Sequence, residues 1–527
     1  MFFIFLTPVA LLISNFKMHQ HSNNPSHQHH SGESSLHNMN MDNRGVARPM
    51  HDSNGDGKMT GMDERMHMLH MHHQQTLWIY WMIIILGVWT ILSPLTFAYH
   101  VAVVAPSGGR TLWLTDAQRI AYMKWSDIVS GALLVIFGFR SLLPNRPMSL
   151  WICCFIGVWM SIAPLLFWAP TAASYLNDTF TGMLVISLSI LIPGMPNMIT
   201  YMKMGSEVPP GWTYNPSSWP QRWIMIVTGF VGFIVSRYLA AYQLGYLDSA
   251  LDPFFGSSTQ QVLNSSMSQS LPVSDAGLGS LAYTFEFLMG FMGGPSRWRT
   301  MPWMVTFFGI LVIPLGLVHI FLVISQPLTV GAWCFFCLIA AGVMLPMIPL
   351  EIDEVIAMGQ HMVQATRKGE KFWSVFWKGG NPVEKNKDER SPQLISLNNQ
   401  FGKVFKASIW GMSVPWTLLL SLAVGIALVI LPDQSSLPIK SSFANINHLC
   451  GSLIVVVSVI SMGEVVRTFR FINILPALSV AIVPWIISDA SSVLKIIDLV
   501  LGLLVAVLSI PRGMIKEQYG LWTKYIK

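Results

Sequence analysis

Residues 77–98 read L-W-I-Y-W-M-I-I-I-L-G-V-W-T-I-L-S-P-L-T-F-A, an apolar run without a charged side chain. A helix needs about 20 such residues to cross the hydrocarbon of a bilayer. Similar runs predict further spans at 122–143, 149–170, 178–198, 222–243, 278–294, 302–324, 329–350, 409–431, 447–466, 471–488 and 491–510. Composition agrees with this reading. Of 527 residues, 52% are hydrophobic and 11% are charged, against roughly 25% charged in an average soluble chain. A soluble protein of this length cannot cover its surface with so little charge. The expected fold is therefore all-α, a polytopic membrane protein with about twelve transmembrane helices.

The sequence pI near 9.0 follows from topology and gives no support to nucleic-acid binding. With the N-terminus in the cytoplasm, Arg110, Arg119, Lys124, Lys440 and Lys495 fall outside and Arg237 lies within a span. Subtracting these six from 32 Lys and Arg leaves 26 on the inner side. The positive-inside rule thus places both termini in the cytoplasm.

An internal repeat organises the spans. L-G-V-W-T-I-L-S-P ends at Pro94, I-G-V-W-M-S-I-A-P at Pro164, V-G-I-A-L-V-I-L-P at Pro432 and A-L-S-V-A-I-V-P at Pro484. Gly87, Gly157 and Gly425 stand seven residues before their prolines, with Ala477 in the fourth copy. After each proline comes a loop and a second span bearing Gly131, Gly182, Gly451 or Gly502. The expected unit is a helix pair in which glycine lets two backbones approach in lipid. Proline ends the outgoing helix where its carbonyls reach water. This pattern resembles the SPW-repeat family of small bacterial membrane modules over about 78–200 and 408–511. Its tripeptide survives in relaxed form as Ser93-Pro94-Leu95, Ala163-Pro164-Leu165, Pro415-Trp416 and Pro484-Trp485. The resemblance implies membrane packing and no chemistry.

The centre, 221–350, breaks the pattern with four spans, a long loop at 244–277 and the C-x-x-C of Cys334 and Cys337. Parity puts this motif at the outer end of the eighth span. Cysteines three apart on a first helical turn share a face, and the helix dipole lowers thiol pKa there. That geometry suits a disulfide that opens and closes. The stretch G-A-W-C-F-F-C-L-I-A (331–340), with V-L-N-S-S (262–266) and S-D-A-G-L-G-S-L-A-Y-T-F-E-F-L-M-G (274–290), resembles the vitamin K epoxide reductase family. The resemblance implies a four-helix domain in which Cys334 and Cys337 form the catalytic pair beside a quinone. It carries quinone-facing roles onto Ser265, Ser266, Asp275 and Tyr283, and a helix position onto Gly279. It also implies a thiol protein as partner on the outer side of a bacterial inner membrane. Members usually carry two relay cysteines in the outer loop, whereas residues 244–261 contain none, and Ala341 replaces an aromatic or polar residue.

The expected organisation is a Met/His-rich tail (1–76), repeats 1 and 2 (77–200), the four-helix domain (221–350), a polar cytoplasmic linker (351–408), repeats 3 and 4 (409–511) and a cytoplasmic tail (512–527). Phe2 to Ile13 is apolar but too short to span, and it lacks the basic start and cleavage site of a signal peptide. Residues 18–73 hold 11 of the 15 histidines among many methionines. The densest run, M-H-M-L-H-M-H-H, offers His67, His70, His72 and His73 as copper ligands, imidazole and thioether both suiting that metal. Asp52, Asn54 and Asp56 take the first, third and fifth places of a calcium loop, with Asp63 at the twelfth. A solvated, disordered tail is the simpler reading of the same residues.

Cys153-Cys154 reads as a pair of small packing residues in lipid. Cys450, two residues after His448, lies at the level of Cys334 and offers a substitute relay. Arg237, Glu286 and His319 are intramembrane ionisable groups that belong inside the central unit, Arg237 and Glu286 forming a candidate pair. Two functions fit. One is a quinone-linked thiol–disulfide oxidoreductase, with Cys337 toward the quinone and Cys334 toward the partner thiol. The other is a non-catalytic scaffold or copper-handling protein with a structural C-x-x-C.

Overall fold

The apolar runs fold as helices in a computed structural model of the protein, which describes residues 70–101, 103–192, 206–382, 386–392, 397–487 and 490–526. No β-strand occurs among the described residues. The chain is an all-α polytopic membrane protein, and nine helices among the described residues are long and apolar enough to cross a bilayer. The runs predicted at 178–198, 278–294 and 491–510 are helical over residues 178–191, 278–291 and 492–508. Their helices, Ala172–Ile186 (continued by a π-turn, Ser187–Leu191), Asp275–Phe291 and Ser492–Leu508, are not among those nine, so a count of twelve spans is not established.

The N-terminal repeats are α1 (Leu77–Thr96), α2 (Asp116–Ser141), α3 (Pro147–Leu166) and α4 (Ala172–Ile186). Each glycine faces its counterpart. A Cβ on Gly87 would lie 2.8 Å from the Gly131 carbonyl oxygen, and one on Gly157 would lie 2.8 Å from that of Gly182. No side chain fits between backbones this close, so the helices meet only where glycine stands. The helices run two residues past Pro94 and Pro164 before stopping. The return helices start from side-chain caps. Thr115 and Thr171 accept the N–H groups of Gln118 and Ser174, and each makes a full capping box. Such caps contribute about 0.5–2 kcal/mol each.

The central unit comprises α5 (Trp219–Gln243), a short loop helix α6 (Ser258–Leu263), α7 (Asp275–Phe291), α8 (Pro302–Thr329) and α9 (Phe335–Arg367). A π-turn at Leu311–Leu315 interrupts α8 around Pro314, where proline removes a helical N–H. At 33 residues α9 is about 50 Å long, more than a bilayer needs. Residues 351–367, polar in composition, continue this helix rather than beginning a linker. Two short helices follow, α10 (Phe372–Lys378) and α11 (Leu397–Ser408), exposing Phe372, Trp373, Trp377, Phe401 and Phe405.

The C-terminal repeats, α12 (Trp416–Gln434), α13 (Ser442–Ile460), α14 (Ile474–Ile487) and α15 (Ser492–Leu508), copy the N-terminal arrangement. Gly425 faces Gly451, Gly502 faces Ala477, and Ser441 and Ser491 cap the return helices.

At the end of the bundle away from Cys334, buried charges tie the elements together. Arg297 donates to both oxygens of Glu354 at 2.6 Å, and the Ser217 hydroxyl donates to the same carboxylate. Arg299 pairs with Glu207 at 2.9 Å, and the Tyr214 hydroxyl donates to Asp353 at 2.6 Å. Arg222 donates to the carbonyls of Gly290, Met292 and Gly293. The chain's last described segment joins this end. Glu464 accepts the N–H groups of Lys516 and Glu517 and the Tyr519 hydroxyl, while Gln360 of α9 donates to the Tyr519 carbonyl.

Candidate active site at the start of helix α9

Cys334 is the N-cap of α9, and its Sγ accepts the Cys337 N–H at 3.2 Å. The N-cap and the third helical residue meet across the first turn, which brings the two sulfurs together. They form a disulfide with Cα atoms 5.2 Å apart. Two neighbours fix the turn from outside. Gln326 Oε1 accepts the Cys334 N–H at 3.1 Å, and Thr259 Oγ1 accepts the Phe335 N–H at 3.2 Å. Thr259 belongs to α6, so the long loop forms a roof over the pair. Cys334 beneath it is 0% exposed, and Cys337 is half-buried.

Asp252 holds the roof. Its carboxylate accepts the Phe254 and Phe255 N–H groups at 3.2 and 2.8 Å, and the Thr259 N–H and hydroxyl at 2.9 and 2.7 Å. Against the upward push of its slight burial, these hydrogen bonds hold the carboxyl below the usual carboxylate range. A depressed folded pKa stabilises above the unfolded value, about 3.9, and that contribution is lost as pH falls through the lower folded value. Asp252→Asn sets an NH2 group, which cannot accept, against either the two Thr259 donors at one oxygen or the Phe254 and Phe255 N–H groups at the other. It should raise the rate of disulfide reduction by a phosphine several-fold, and acidification should produce the same rise in the wild type. An unchanged rate in the variant would show that the roof is held elsewhere.

The residues expected to face a quinone separate into two groups. Tyr283 touches the cysteine-bearing helix: its hydroxyl donates to the Ala340 carbonyl at 2.8 Å and lies 3.3 Å from His319 Nδ1. Its ring lies against Gly232, where a Cβ would come within 2.3 Å of the ring. Asp275 instead belongs to a knot beneath the loop, accepting from Gln243 at 2.6 Å and Ser268 at 2.8 Å, and burial pushes its carboxyl up. The Ser265 hydroxyl donates to Val262 O at 2.7 Å, and Ser266 is exposed. A Cβ on Gly279 would meet only the Ser236 Cβ, at 3.8 Å. Ala341 follows Cys337 by one turn and is partly exposed.

The C-terminal repeat walls another side. His448 packs edge-on against Trp333 with centroids 5.6 Å apart, and Lys440 Nζ donates to the Thr329 carbonyl at 2.9 Å. Cys450 is buried with Val424, Leu428, Ile454, Ala477, Val480 and Val505 inside the repeat. Two residues on a helix turn through about 200°, so a His448 that faces Trp333 sends Cys450 the other way. The sequence-based pairing of Cys450 with the C-x-x-C therefore lacks the required orientation. Cys153 and Cys154 are free thiols in the α3 packing.

Arg237 and Glu286 do not pair. Arg237 Nη1 donates to Thr179 Oγ1 at 2.7 Å, and its guanidinium stacks on Phe233 and Phe180. Glu286 is fully buried, and neither carboxylate oxygen has a hydrogen-bond partner. Of the proposed metal ligands, Asp52, Asn54, Asp56, Asp63 and His67 lie outside the described residues. His73 Nε2 lies 3.1 Å from the Leu142 carbonyl, and His70 Nε2 lies 3.4 Å from Gln74. No cluster able to hold a metal occurs among the described residues. Sequence reasoning missed the ion pairs around Arg297 and Arg299, whose partners lie 57 and 92 residues away.

Residues 223–352 match the Vitamin K epoxide reductase family, and residues 110–192 match the SPW repeat domain. No curated protein and no solved structure matches the chain. The matched segments coincide with the helices that surround the Cys334–Cys337 disulfide and with the glycine-paired helices α2 to α4. The protein thus carries a vitamin K epoxide reductase family domain at its centre, with an SPW repeat domain on its N-terminal side.

Proposed function

We propose that this membrane oxidoreductase-family protein is a quinone-linked thiol–disulfide oxidoreductase acting at the outer face of a bacterial inner membrane, with both termini in the cytoplasm. The observation that carries the reading is the Cys334–Cys337 disulfide at the N-terminus of α9, inside the family-matched segment. A partner thiolate attacks Cys337, the more accessible sulfur, and the disulfide opens with the electron pair going to Cys334. The Cys337 N–H and the helix N-terminus are placed to hold that thiolate. The partner's second thiol then forms the partner disulfide and releases Cys337, leaving Cys334 and Cys337 as a dithiol. A quinone accepts two electrons and two protons as this pair closes again. In this scheme Cys337 meets the partner, reversing the sequence-based roles, because Cys334 is under the loop. Without loop cysteines at 244–261, exchange with the partner is direct.

A structural disulfide is the competing reading, favoured by the complete burial of Cys334. Alkylation gel-shift of membranes separates the two. A reducing partner thiol should open the pair, and a naphthoquinone or benzoquinone should close it. A pair that stays oxidised under reductant, or stays reduced with every quinone, overturns the proposed activity.

A further inference from the structure

The position four residues before each repeat glycine is polar in all four units: Asp127 before Gly131, Asp178 before Gly182, Asn447 before Gly451 and Asp498 before Gly502. Residues four apart share a helix face, so each polar group lies on the side packed against the neighbouring helix. All four are buried, none more than 1% exposed. In the C-terminal repeats the two such residues form a couple, Asn447 Nδ2 donating to Asp498 Oδ2 at 2.8 Å.

The N-terminal repeats make the same couple from two acids. Asp127 and Asp178 occupy the positions equivalent to Asn447 and Asp498 and are close enough to interact. Asp127 Oδ2 also accepts the Ser93 hydroxyl at 3.0 Å and the Tyr99 hydroxyl. Asp178 Oδ1 accepts Asn177 Nδ2 at 3.1 Å, but Asp178 Oδ2 is buried and has no donor. Two adjacent carboxylates out of water cannot both be ionised. One proton between them does for this couple what the Asn447 amide does for the other.

We infer that Asp127 and Asp178 form a binding site for one exchangeable proton inside the N-terminal repeat. An open hollow of about 540 Å³ lies at this end of the bundle, lined in part by Phe97, Ala98, Thr171, Gly245 and Tyr246. Tyr99, next to Ala98, carries the contact from this wall to Asp127. Tyr99 faces both acids and Tyr246 faces Asp178; beyond them, Arg119 and Tyr175 face Tyr246, and Arg237 faces Tyr175. Arg237 belongs to the central domain and donates to Thr179, the residue after Asp178, so the site adjoins that domain.

Infrared spectroscopy of the full chain in lipid nanodiscs tests the inference through the carbonyl stretch of protonated carboxyl groups at neutral pH. Wild type minus Asp127→Asn, and wild type minus Asp178→Asn, should each show one such carboxyl lost, with the band moving in D2O. Each variant supplies an amide donor as Asn447 does, so folding is expected to survive. Asn447→Asp should conversely create a second carboxyl couple and add one protonated group. If neither loss nor gain appears, or if the wild-type band does not respond to D2O, the inference is overturned. It is equally overturned if the difference spectra depend on sodium, which would make the couple an ionised cation site. Should both Asp variants fail to insert, the D2O response and the Asn447→Asp gain decide.

Discussion

Cys337→Ser is expected to reduce quinone-dependent oxidation of a partner thiol to background, a loss of roughly 10³-fold or more when a sulfur that undergoes covalent chemistry is removed. Two-electron exchange needs both sulfurs, one to be attacked and one to leave. Cys334→Ser should be equally inactive. The variants should differ in what they trap: the free Cys337 thiolate of Cys334→Ser should attack a disulfide-form partner, releasing one partner thiol, and the mixed disulfide should accumulate because the Cys334 sulfur that would resolve it is gone. Cys450→Ser should retain wild-type turnover, because its thiol faces the repeat interior. Non-reducing gels and quinone reduction followed by absorbance check these outcomes. Substantial turnover in Cys337→Ser would move the chemistry away from the start of α9.

Arg297→Met should cost about 3–5 kcal/mol of stability, the usual consequence of leaving one member of a buried ion pair without its partner. Arg297 is 1% exposed and engages both oxygens of Glu354, which also receives the Ser217 hydroxyl. Removing the guanidinium strands a carboxylate in the interior. The paired change Arg297→Met with Glu354→Leu should recover most of the loss, since neither charge then remains. Thermal unfolding of the purified protein in lipid nanodiscs distinguishes the cases. If single and paired variants melt together, the ion pair is not what holds this end of the bundle.

Those two regions differ in how far the sequence discloses them. The glycines and prolines recur at fixed spacing, so the paired helices and their ends follow from local rules. Cys334 and Cys337 are three residues apart at the start of an apolar run, and that spacing places them on one helical turn. Tyr283 is reached from the family resemblance, and it is the residue of that set that contacts α9. Ser266 is not in any interior contact, because the loop turns it to solvent. Long-range pairing had no local signal. Arg297 could have met any acid, and only the packing of α9 selects Glu354. Arg237 looked complementary to Glu286 by charge, yet its position on α5 directs it toward Thr179 of α4. The polar residue four before each repeat glycine was legible in principle. What the sequence lacks is the contact that pairs Asp127 with Asp178 across two units.

The contacts around Glu464 have a consequence for the timing of biosynthesis. Lys516, Glu517 and Tyr519 are translated after α9 and after the segment around Tyr214, yet they complete the buried polar end shared by both. Trp212, Tyr214 and Tyr519 also pack ring against ring, with centroids 5.0 to 6.2 Å apart. Until the ribosome has extruded these late residues, helices already inserted in the bilayer lack their closing partners. Glu464 then has no N–H groups from Lys516 and Glu517 to accept. This end of the molecule therefore closes only once residues 516–519 have emerged, later than the helices it ties together, and nascent chains stalled before residue 516 would be the species exposed to membrane quality control.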